Sequence, residues 1–145
     1  MKSSTKTLIV NHNAKDLFDI VLDLEKYPEF IPWCKNMKIY SKNTKEIYAD
    51  MYVFYKFILP QKFGSHVIFD KKKLFINTIY IEGPLKDLKT NWKFDQINKS
   101  KTKLIFSVKF EFKRFIHQKI AETFYPLIEN KMIESFKVRA DEILD

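Results

Sequence analysis

Most of the chain before residue 113 alternates between apolar and polar residues, the period-two pattern typical of strands with one buried face. It predicts strands over residues 6–10, 38–41, 46–58, 63–70, 74–82, 88–95 and 104–112. The clearest alternating face is in the last strand and consists of Leu104, Phe106, Val108, Phe110 and Phe112. A second such face, in strand 46–58, consists of Ile47, Ala49, Met51, Val53, Tyr55 and Phe57. Pro60 is expected to interrupt the chain between two strands.

From residue 113 to residue 144 the spacing changes to that of one long amphipathic helix. Its predicted buried face consists of Ile116, Ile120, Phe124, Ile128, Met132, Phe136 and Ala140, with Leu127, Ile133 and Ile143 beside it. Its predicted solvent face consists mainly of Lys119, Glu122, Glu129, Lys131, Glu134, Lys137 and Asp141. Steps of four residues turn by about 40°, and such a drifting stripe favours a sheet that curves around the helix. Pro126 is expected to kink this helix or to start its main segment.

A short helix and an aromatic break separate the first strand from the others. Asn13 is the predicted N-cap, with Asp16 at the third helical position. The apolar side of this helix consists of Leu17, Phe18, Ile20, Val21 and Leu24. The following segment, 27–34, holds two prolines that break regular helix among large apolar residues, which must be buried or must cover something. The order of elements predicts an α+β fold in a single domain spanning residues 1–145.

The 145 residues include 14 Phe and 7 Tyr but only 2 Gly. This aromatic content indicates either a bulky core or a cavity walled by aromatic rings. The formal net charge of +8 favours anionic partners such as RNA or lipid, but a solvated lysine-rich surface is the favoured interpretation over nucleic-acid binding. Arg114 and Arg139 are the only arginines, so the charge does not indicate DNA recognition. The turn Lys71-Lys72-Lys73 is a candidate contact for RNA or lipid headgroups, and a solvated turn is the favoured interpretation.

The usual signatures of catalysis and metal binding are missing from the sequence. Cys34 is the only cysteine, which excludes a disulfide within the chain and suits a reducing compartment; we interpret it as a small buried apolar residue. His12, His66 and His117 do not have the spacing of a metal site, and His66 is expected to face solvent or lie at an edge. No apolar run has the length of a membrane span. We expect a cytoplasmic protein, with a membrane surface as a further site of action, and no catalytic cofactor.

Five segments together resemble the coenzyme Q-binding START-like family, which is polyketide cyclase/dehydrase-like, and the resemblance covers nearly the whole chain. The segments are Tyr27-Pro28-Glu29-Phe30-Ile31-Pro32-Trp33-Cys34, Glu82-Gly83-Pro84-Leu85-Lys86, Trp92-Lys93-Phe94, Phe110-Glu111-Phe112-Lys113, and Met132 with Phe136, Arg139 and Ala140. The first is the most specific. The chain departs from the family at Leu85, where phenylalanine is common, and at Thr90-Asn91, where a glycine is usual. The resemblance implies the helix-grip fold: a curved antiparallel sheet of about seven strands around a long C-terminal helix, two short helices after strand one, and an apolar cavity between sheet and helix.

The resemblance also implies a ligand and a set of residues to hold it. The ligand is a hydrophobic isoprenoid lipid, with ubiquinone expected first, which the protein would present to respiratory or biosynthetic enzymes. The candidate ligand-binding residues are Tyr27, Phe30, Trp33, Phe69, Trp92, Phe94, Phe110, Phe112, Met132 and Phe136. We expect most of these side chains to be core, because aromatic and methionine stripes usually are.

Two other functions remain open. The family also contains ribosome-association toxins, which implies the large ribosomal subunit as an alternative partner, with Lys71, Lys72 and Lys73 as the surface contact. More distant relatives are polyketide cyclases. The sequence offers no placed general base, so we do not expect an enzyme.

Overall fold

A computed structural model describes residues 2–55 and 58–144. Seven strands, two α-helices and one 3₁₀ helix follow one another in the order that the sequence predicts. The elements are β1 (Lys2–Val10), α1 (Ala14–Leu22), a 3₁₀ helix (Leu24–Glu29), β2 (Cys34–Lys42), β3 (Glu46–Tyr55), β4 (Ile58–Asp70), β5 (Phe75–Glu82), β6 (Leu85–Asn98), β7 (Lys101–Phe112) and α2 (Phe115–Leu144).

The seven strands form one antiparallel sheet in the order β1-β7-β6-β5-β4-β3-β2. Directly paired residues of antiparallel strands share a face, so the pairs Ile76–Trp92 and Trp92–Phe106 place these three side chains together. The same face, called the inner face below, packs against both α-helices through rings of Phe18 and Phe136. The predicted α+β helix-grip architecture is confirmed.

The first helix begins where the sequence predicts. The backbone N–H of Asp16 donates to Asn13 Oδ1 at 2.9 Å, which satisfies one of the free donors of the first turn. The predicted apolar side is buried, because Leu17, Phe18 and Val21 are almost inaccessible. The 3₁₀ helix that follows contains Pro28.

Pro60 does not interrupt the sheet, and this prediction is wrong. The residue lies inside β4, where β4 is paired with β3, and the register shifts between Val53 and Tyr55 of that pairing. The pairing of β4 with β5 begins only at Gly64. A proline is tolerated at such an edge position because its missing N–H breaks no bond to a second strand. The predicted inward position of Phe57 and that of the Tyr55 side chain lie outside the part of the chain that the structure describes.

The rotation of α2 differs from the prediction. The helix is continuous from Phe115, so its main segment does not begin at Pro126. Its buried residues are Gln118, Glu129, Ile133, Phe136 and Ala140, and the predicted core residues exposed instead are Ile116, Ile120, Leu127 and Ile143. The reason is the drift of the four-residue steps: at about 100° per residue, Ile116 lies about 200° around the helix from Phe136. Glu129, predicted to face solvent, lies only about 20° from Phe136.

Polar contacts hold α2 against the sheet and against the loop before α1 in this rotation. Ser4 Oγ donates to Glu129 Oε2 at 3.1 Å, and His12 Nε2 lies 2.7 Å from Asp141 Oδ1. Gln118 Oε1 accepts from the backbone N–H of Phe112 at 2.7 Å, where β7 ends. Buried polar groups cost free energy unless they are hydrogen-bonded, and these partners explain why glutamine and glutamate are tolerated on the inner side of the helix.

Candidate functional site

An aromatic cluster around Phe136 joins α2 to the 3₁₀ helix and the sheet. The ring of Phe136 lies 5.4 Å from Tyr27, 5.2 Å from Phe30 and 5.1 Å from Trp92, all edge to face. Arg139 strengthens the contact, because it lies over the ring of Phe30 at 5.1 Å and binds Glu29 Oε1 at 3.0 Å. The most specific sequence motif therefore packs directly on the C-terminal half of α2.

The other predicted ligand residues divide between this cluster and a second one. The ring of Trp92 stacks on Phe94. Phe94 contacts Phe18, which in turn contacts Phe69. Phe110 and Phe112 form a separate cluster with Tyr125 and His117 near the start of α2.

Of the two remaining candidates, Trp33 is buried in the core and Met132 is half-buried against it. No ring contact of Phe18, Phe106 or Tyr125 was predicted, although the alternation placed Phe106 on the correct face. The alternation of aromatic residues along the strand was the signal that could have identified Phe106.

The seam around the Phe136 cluster is closed. The space lined by Leu8, Val10, Leu17, Ile20, Val21, Phe94, Leu104, Ile133, Phe136 and Lys137 is only about 10 Å³. One water molecule needs about that much, so no lipid fits there. A larger open depression of about 550 Å³ lies outside the seam, where β3 ends and β4 begins.

A row of small side chains crosses the inner face farther along the sheet. Ala49 pairs with Ser65, and Thr78 pairs with Thr90, so the row runs over β3, β4, β5 and β6. Ser65 is diagonal to Thr78, because Val67, two residues further on, is the direct partner of Thr78. Diagonal neighbours are about 7–8 Å apart. These short side chains cover less of the inner face than the aromatic rings do elsewhere, and Ser65, Thr78 and Thr90 are half-buried.

The flank of this row nearer the start of α2 is apolar and incompletely covered. Its half-buried inward-facing side chains are Met37, Met51, Phe63, Tyr80, Leu88 and Phe112. On the helix side, the half-buried residues are Ala121, Tyr125, Ile128 and Met132. We call the region between these two sets the trough. Its walls are apolar with few polar groups, the usual composition of a small-molecule site.

Three hydroxyls open into the trough without a protein partner. Ser65, Thr78 and Thr90 are half-buried, and no hydrogen bond joins their side chains to another residue in the described part of the chain. Tyr80 adds a fourth hydroxyl at one border: its oxygen accepts from the backbone N–H of Leu85 at 3.0 Å, and its proton is available to a ligand. Burial raises the pKa of Tyr80 above its usual value.

Gly83 makes room for the Tyr80 hydroxyl. A Cβ at this position would lie 2.8 Å from the Tyr80 oxygen and 2.7 Å from the Lys62 carbonyl oxygen. The backbone of Gly83 also has a φ of +142°, a conformation that residues with side chains rarely adopt. The glycine of the Gly83-Pro84 turn therefore fixes the tyrosine at the border of the trough.

Glu129 places a buried carboxylate on the helix side of the trough. Glu129 Oε2 accepts from Ser4 Oγ at 3.1 Å and from Tyr125 Oη at 3.0 Å. Burial and the neighbouring Glu129 carboxylate raise the pKa of Tyr125 above its usual value. The periodicity of the sequence placed Glu129 on the solvent face, and no local signal identifies it, because its burial depends on the rotation of α2.

The lysine turn is a separate, exposed feature between β4 and β5. Asp70 Oδ1 accepts from the backbone N–H groups of Lys72 and Lys73, both at 2.9 Å, and these bonds lower the pKa of Asp70. The three side chains of Lys71, Lys72 and Lys73 are exposed. An ordered turn thus holds three cations close together, as the sequence predicts.

The remaining candidates for chemistry are engaged in structural contacts. His66 Nε2 lies 2.6 Å from Glu46 Oε1, and its ring stacks on Tyr48 at 4.2 Å. Cys34 is buried, as predicted, and burial raises its pKa to about 11. In residues 2–55 and 58–144, no cluster of His, Cys, Asp or Glu is placed to hold a metal ion. Neither described helix combines the length and apolar character needed to cross a membrane.

Comparison with known proteins agrees with this architecture. A family described as polyketide cyclase / dehydrase and lipid transport matches residues 10–137. The ribosome association toxin RatA of Rickettsia prowazekii is 33% identical over 99% of both chains. The mitochondrial coenzyme Q-binding protein of Drosophila melanogaster is 27% identical over 91% of this chain and 55% of its own length.

Solved structures share the fold. The Zhui aromatase/cyclase of a Streptomyces species superposes with a TM-score of 0.91 at 12% identity, covering 99% of this chain and 96% of its own. An 18 kDa protein of Caulobacter crescentus superposes with a TM-score of 0.82 at 25% identity, covering 99% and 98%. The family match over most of the chain, together with the sheet and helix described above, shows that this chain belongs to the polyketide cyclase / dehydrase and lipid transport family.

Proposed function

We propose that the protein binds a hydrophobic isoprenoid lipid, ubiquinone first among them, in the trough between the inner face and α2. The observation that carries the proposal is the row of unpartnered hydroxyls of Ser65, Thr78 and Thr90 within apolar walls. Quinone carbonyl oxygens accept hydrogen bonds, and hydroxyls supply them. The isoprenoid tail would lie along Met51, Leu88 and the half-buried side of α2, where binding is driven by apolar area removed from water.

A carrier role suits this arrangement better than catalysis. The hydroxyls of the trough are not paired with a base, and the Glu129 carboxylate is already bonded to Ser4 and Tyr125. General acid–base catalysis needs a positioned group with an available proton or lone pair. The protein would hold the lipid and present it to respiratory or biosynthetic enzymes, and the similarity to a coenzyme Q-binding protein supports this role.

The residues of the Phe136 cluster are unsuitable for testing this proposal. A charged residue in place of Phe136 or Trp92 would be buried without a partner, so lost binding would report unfolding. Thr78→Val and Thr90→Val are better variants, because each removes one unpartnered hydroxyl and keeps the shape and strand preference of the side chain.

The experiment is titration of each purified variant with a short-chain ubiquinone and with squalene, an isoprenoid hydrocarbon without a head group. A hydrogen bond is worth about 0.5–1.5 kcal/mol, so each valine variant should bind the quinone about 2- to 12-fold more weakly. Binding of squalene should not change. Thr7→Val is the matched control, because Thr7 lies exposed on the outer face of β1. Unchanged quinone affinity in the variant that combines Thr78→Val with Thr90→Val would exclude this head-group site.

Native mass spectrometry of protein purified from a quinone-producing host tests lipid binding without assuming the residues. An isoprenoid quinone retained near one per chain is the expected result. An empty protein that also takes up no added quinone would contradict the proposal as a whole.

A second candidate function is association with the large ribosomal subunit. The ordered turn of Lys71, Lys72 and Lys73 favours it, together with the similarity to ribosome association toxins. Phosphate contacts make binding fall steeply with salt. We expect co-sedimentation with large subunits at low salt, lost at high salt and in the triple Lys→Gln variant of this turn. Equal binding by wild type and triple variant would contradict the assignment of this surface.

A further inference from the structure

The first three turns of α2 expose an apolar stripe. Phe115 is 76% exposed, Ile116 64%, Ile120 44% and Leu127 43%. At about 100° per residue, Ile116, Ile120 and Leu127 lie within a sector of about 40°. We call these four residues the outer stripe. Single exposed apolar residues are ordinary, but a contiguous patch indicates an interaction surface.

Cations flank the start of the outer stripe. Lys113 and Arg114 precede it and are exposed, and Lys119 Nζ lies 5.4 Å from the centre of the Phe115 ring. Two acids of this region are engaged elsewhere: Glu111 binds Lys86 at 3.1 Å, and Glu122 accepts from Gln118 on the buried side. The surface is therefore apolar at its centre and positive at its margin.

An apolar surface with a positive margin is suited to binding an anionic lipid surface. We propose that the outer stripe docks on an anionic lipid bilayer, with its apolar side chains in the headgroup–acyl boundary and the three cations at the phosphates. Amphipathic helices that lie in the membrane interface combine apolar burial with attraction to anionic lipid in this way. A second copy of this chain would place the same cations against each other, which disfavours self-association through the stripe.

The position of the stripe connects it to the trough. The same turns of α2 place Ala121, Tyr125 and Ile128 on the opposite side of the helix, half-buried against the inner face. A bilayer docked on the outer stripe would be one helix diameter from the trough. Docking itself does not depend on the proposed lipid ligand, since it needs only the outer surface.

The test is flotation of the purified protein with vesicles of phosphatidylcholine, with and without about one third phosphatidylglycerol, and no quinone. Wild type should bind the anionic vesicles and bind the neutral ones far less. Ile116→Ser with Ile120→Ser should lower partitioning at least about tenfold, because the apolar area of two isoleucine side chains is no longer removed from water. Neutralising one cation should weaken it about fivefold, so Lys113→Gln with Arg114→Gln and Lys119→Gln should abolish measurable binding.

Two matched controls separate the stripe from general surface properties. Ile81→Ser with Ile97→Ser changes two isoleucines that are each 53% exposed on other elements. The Lys→Gln variants of residues 99, 101 and 103 remove three exposed lysines near the β6–β7 turn, at the other end of the sheet. Both controls should bind nearly as wild type. Equal binding by the stripe variants and these controls would overturn the proposal, and so would failure of wild type to bind anionic vesicles at low salt.

Quinone titration of the stripe variants keeps this inference separate from the proposed function. We expect them to bind short-chain quinone in solution as wild type does, because the stripe lies outside the trough. Loss of vesicle binding with retained quinone binding is the expected pattern.

Discussion

Replacing Phe136 with alanine tests whether the aromatic cluster holds α2 on the sheet. Phe136 is only 5% exposed and contacts the rings of Tyr27, Phe30 and Trp92. Truncating a buried phenylalanine costs about 3–5 kcal/mol, from lost burial and from the cavity left behind. Edge-to-face ring contacts add about 0.5–1.5 kcal/mol per pair, which places the expected loss in the upper part of that range.

The same loss of unfolding free energy can be expressed as a decrease in the melting temperature Tm. The entropy of unfolding is about 2.1 cal/mol/K per residue, so a chain of 145 residues has about 0.3 kcal/mol/K. A loss of 3–5 kcal/mol then lowers Tm by about 10–16 °C. The total free energy of unfolding of a typical domain is only about 5–15 kcal/mol. The variant should therefore still fold at 25 °C, but with a small remaining free energy of unfolding.

The assay is urea unfolding followed by circular dichroism, with tryptophan emission as a second probe of the Trp92 environment. Val138→Ala is the matched control on the same helix, since Val138 is 47% exposed, and it should shift the free energy of unfolding by less than about 0.5 kcal/mol. The slope with urea should be unchanged in both variants. If Phe136→Ala cost no more than the control, the cluster would not be what holds α2, and the described packing would be refuted.

Three further predictions concern the cap, the thiol and the ion pair. Asn13→Ala should cost about 1 kcal/mol in urea unfolding, because it removes the acceptor for the Asp16 N–H, whereas Asn13→Ser should restore most of it; equal losses would contradict the cap. Cys34 should react with a thiol reagent at pH 8 at least about 100-fold more slowly in the native than in the unfolded protein, because it is buried and its pKa is raised to about 11; fast native labelling would contradict its burial. The Arg139 hydrogen bond lowers the pKa of Glu29, so the stabilisation it gives is present above about pH 5 and is lost as pH falls through the lowered pKa. Arg139→Gln should therefore flatten the loss of stability between about pH 5 and pH 3, measured by urea midpoints, and an unchanged slope would argue against this pair.

Local features of the sequence predicted most of the fold. The alternation in residues 104–112 identified β7 and its inner face, and Asn13 with Asp16 identified the start of α1. These predictions succeed because side-chain periodicity and capping depend on neighbouring residues only. The resemblance at residues 27–34 added the helix-grip arrangement that periodicity alone could not provide.

The candidate site was predicted only in part. The sequence named rings that face the interior, and the structure brings Tyr27, Phe30, Trp92 and Phe136 together. It could not show that the seam around them is closed, because the remaining volume depends on packing between elements far apart in the chain. Nor did it identify the hydroxyl row, since Ser65, Thr78 and Thr90 become neighbours only through the strand register.

The sequence by itself determined the main elements, their order, and the inward faces of β7 and of β3 over residues 47–53, because each follows from spacing within a few residues. Only the tertiary structure decided which side of α2 meets the sheet. Apolar residues lie on both sides of its first half, so periodicity there is ambiguous. Contacts of Gln118 with the end of β7 and of Glu129 with Ser4 of β1 fix the rotation. The same rotation buries Glu129 and leaves Ile116 and Ile120 exposed, because a helix that turns one side inward must present the opposite side to solvent.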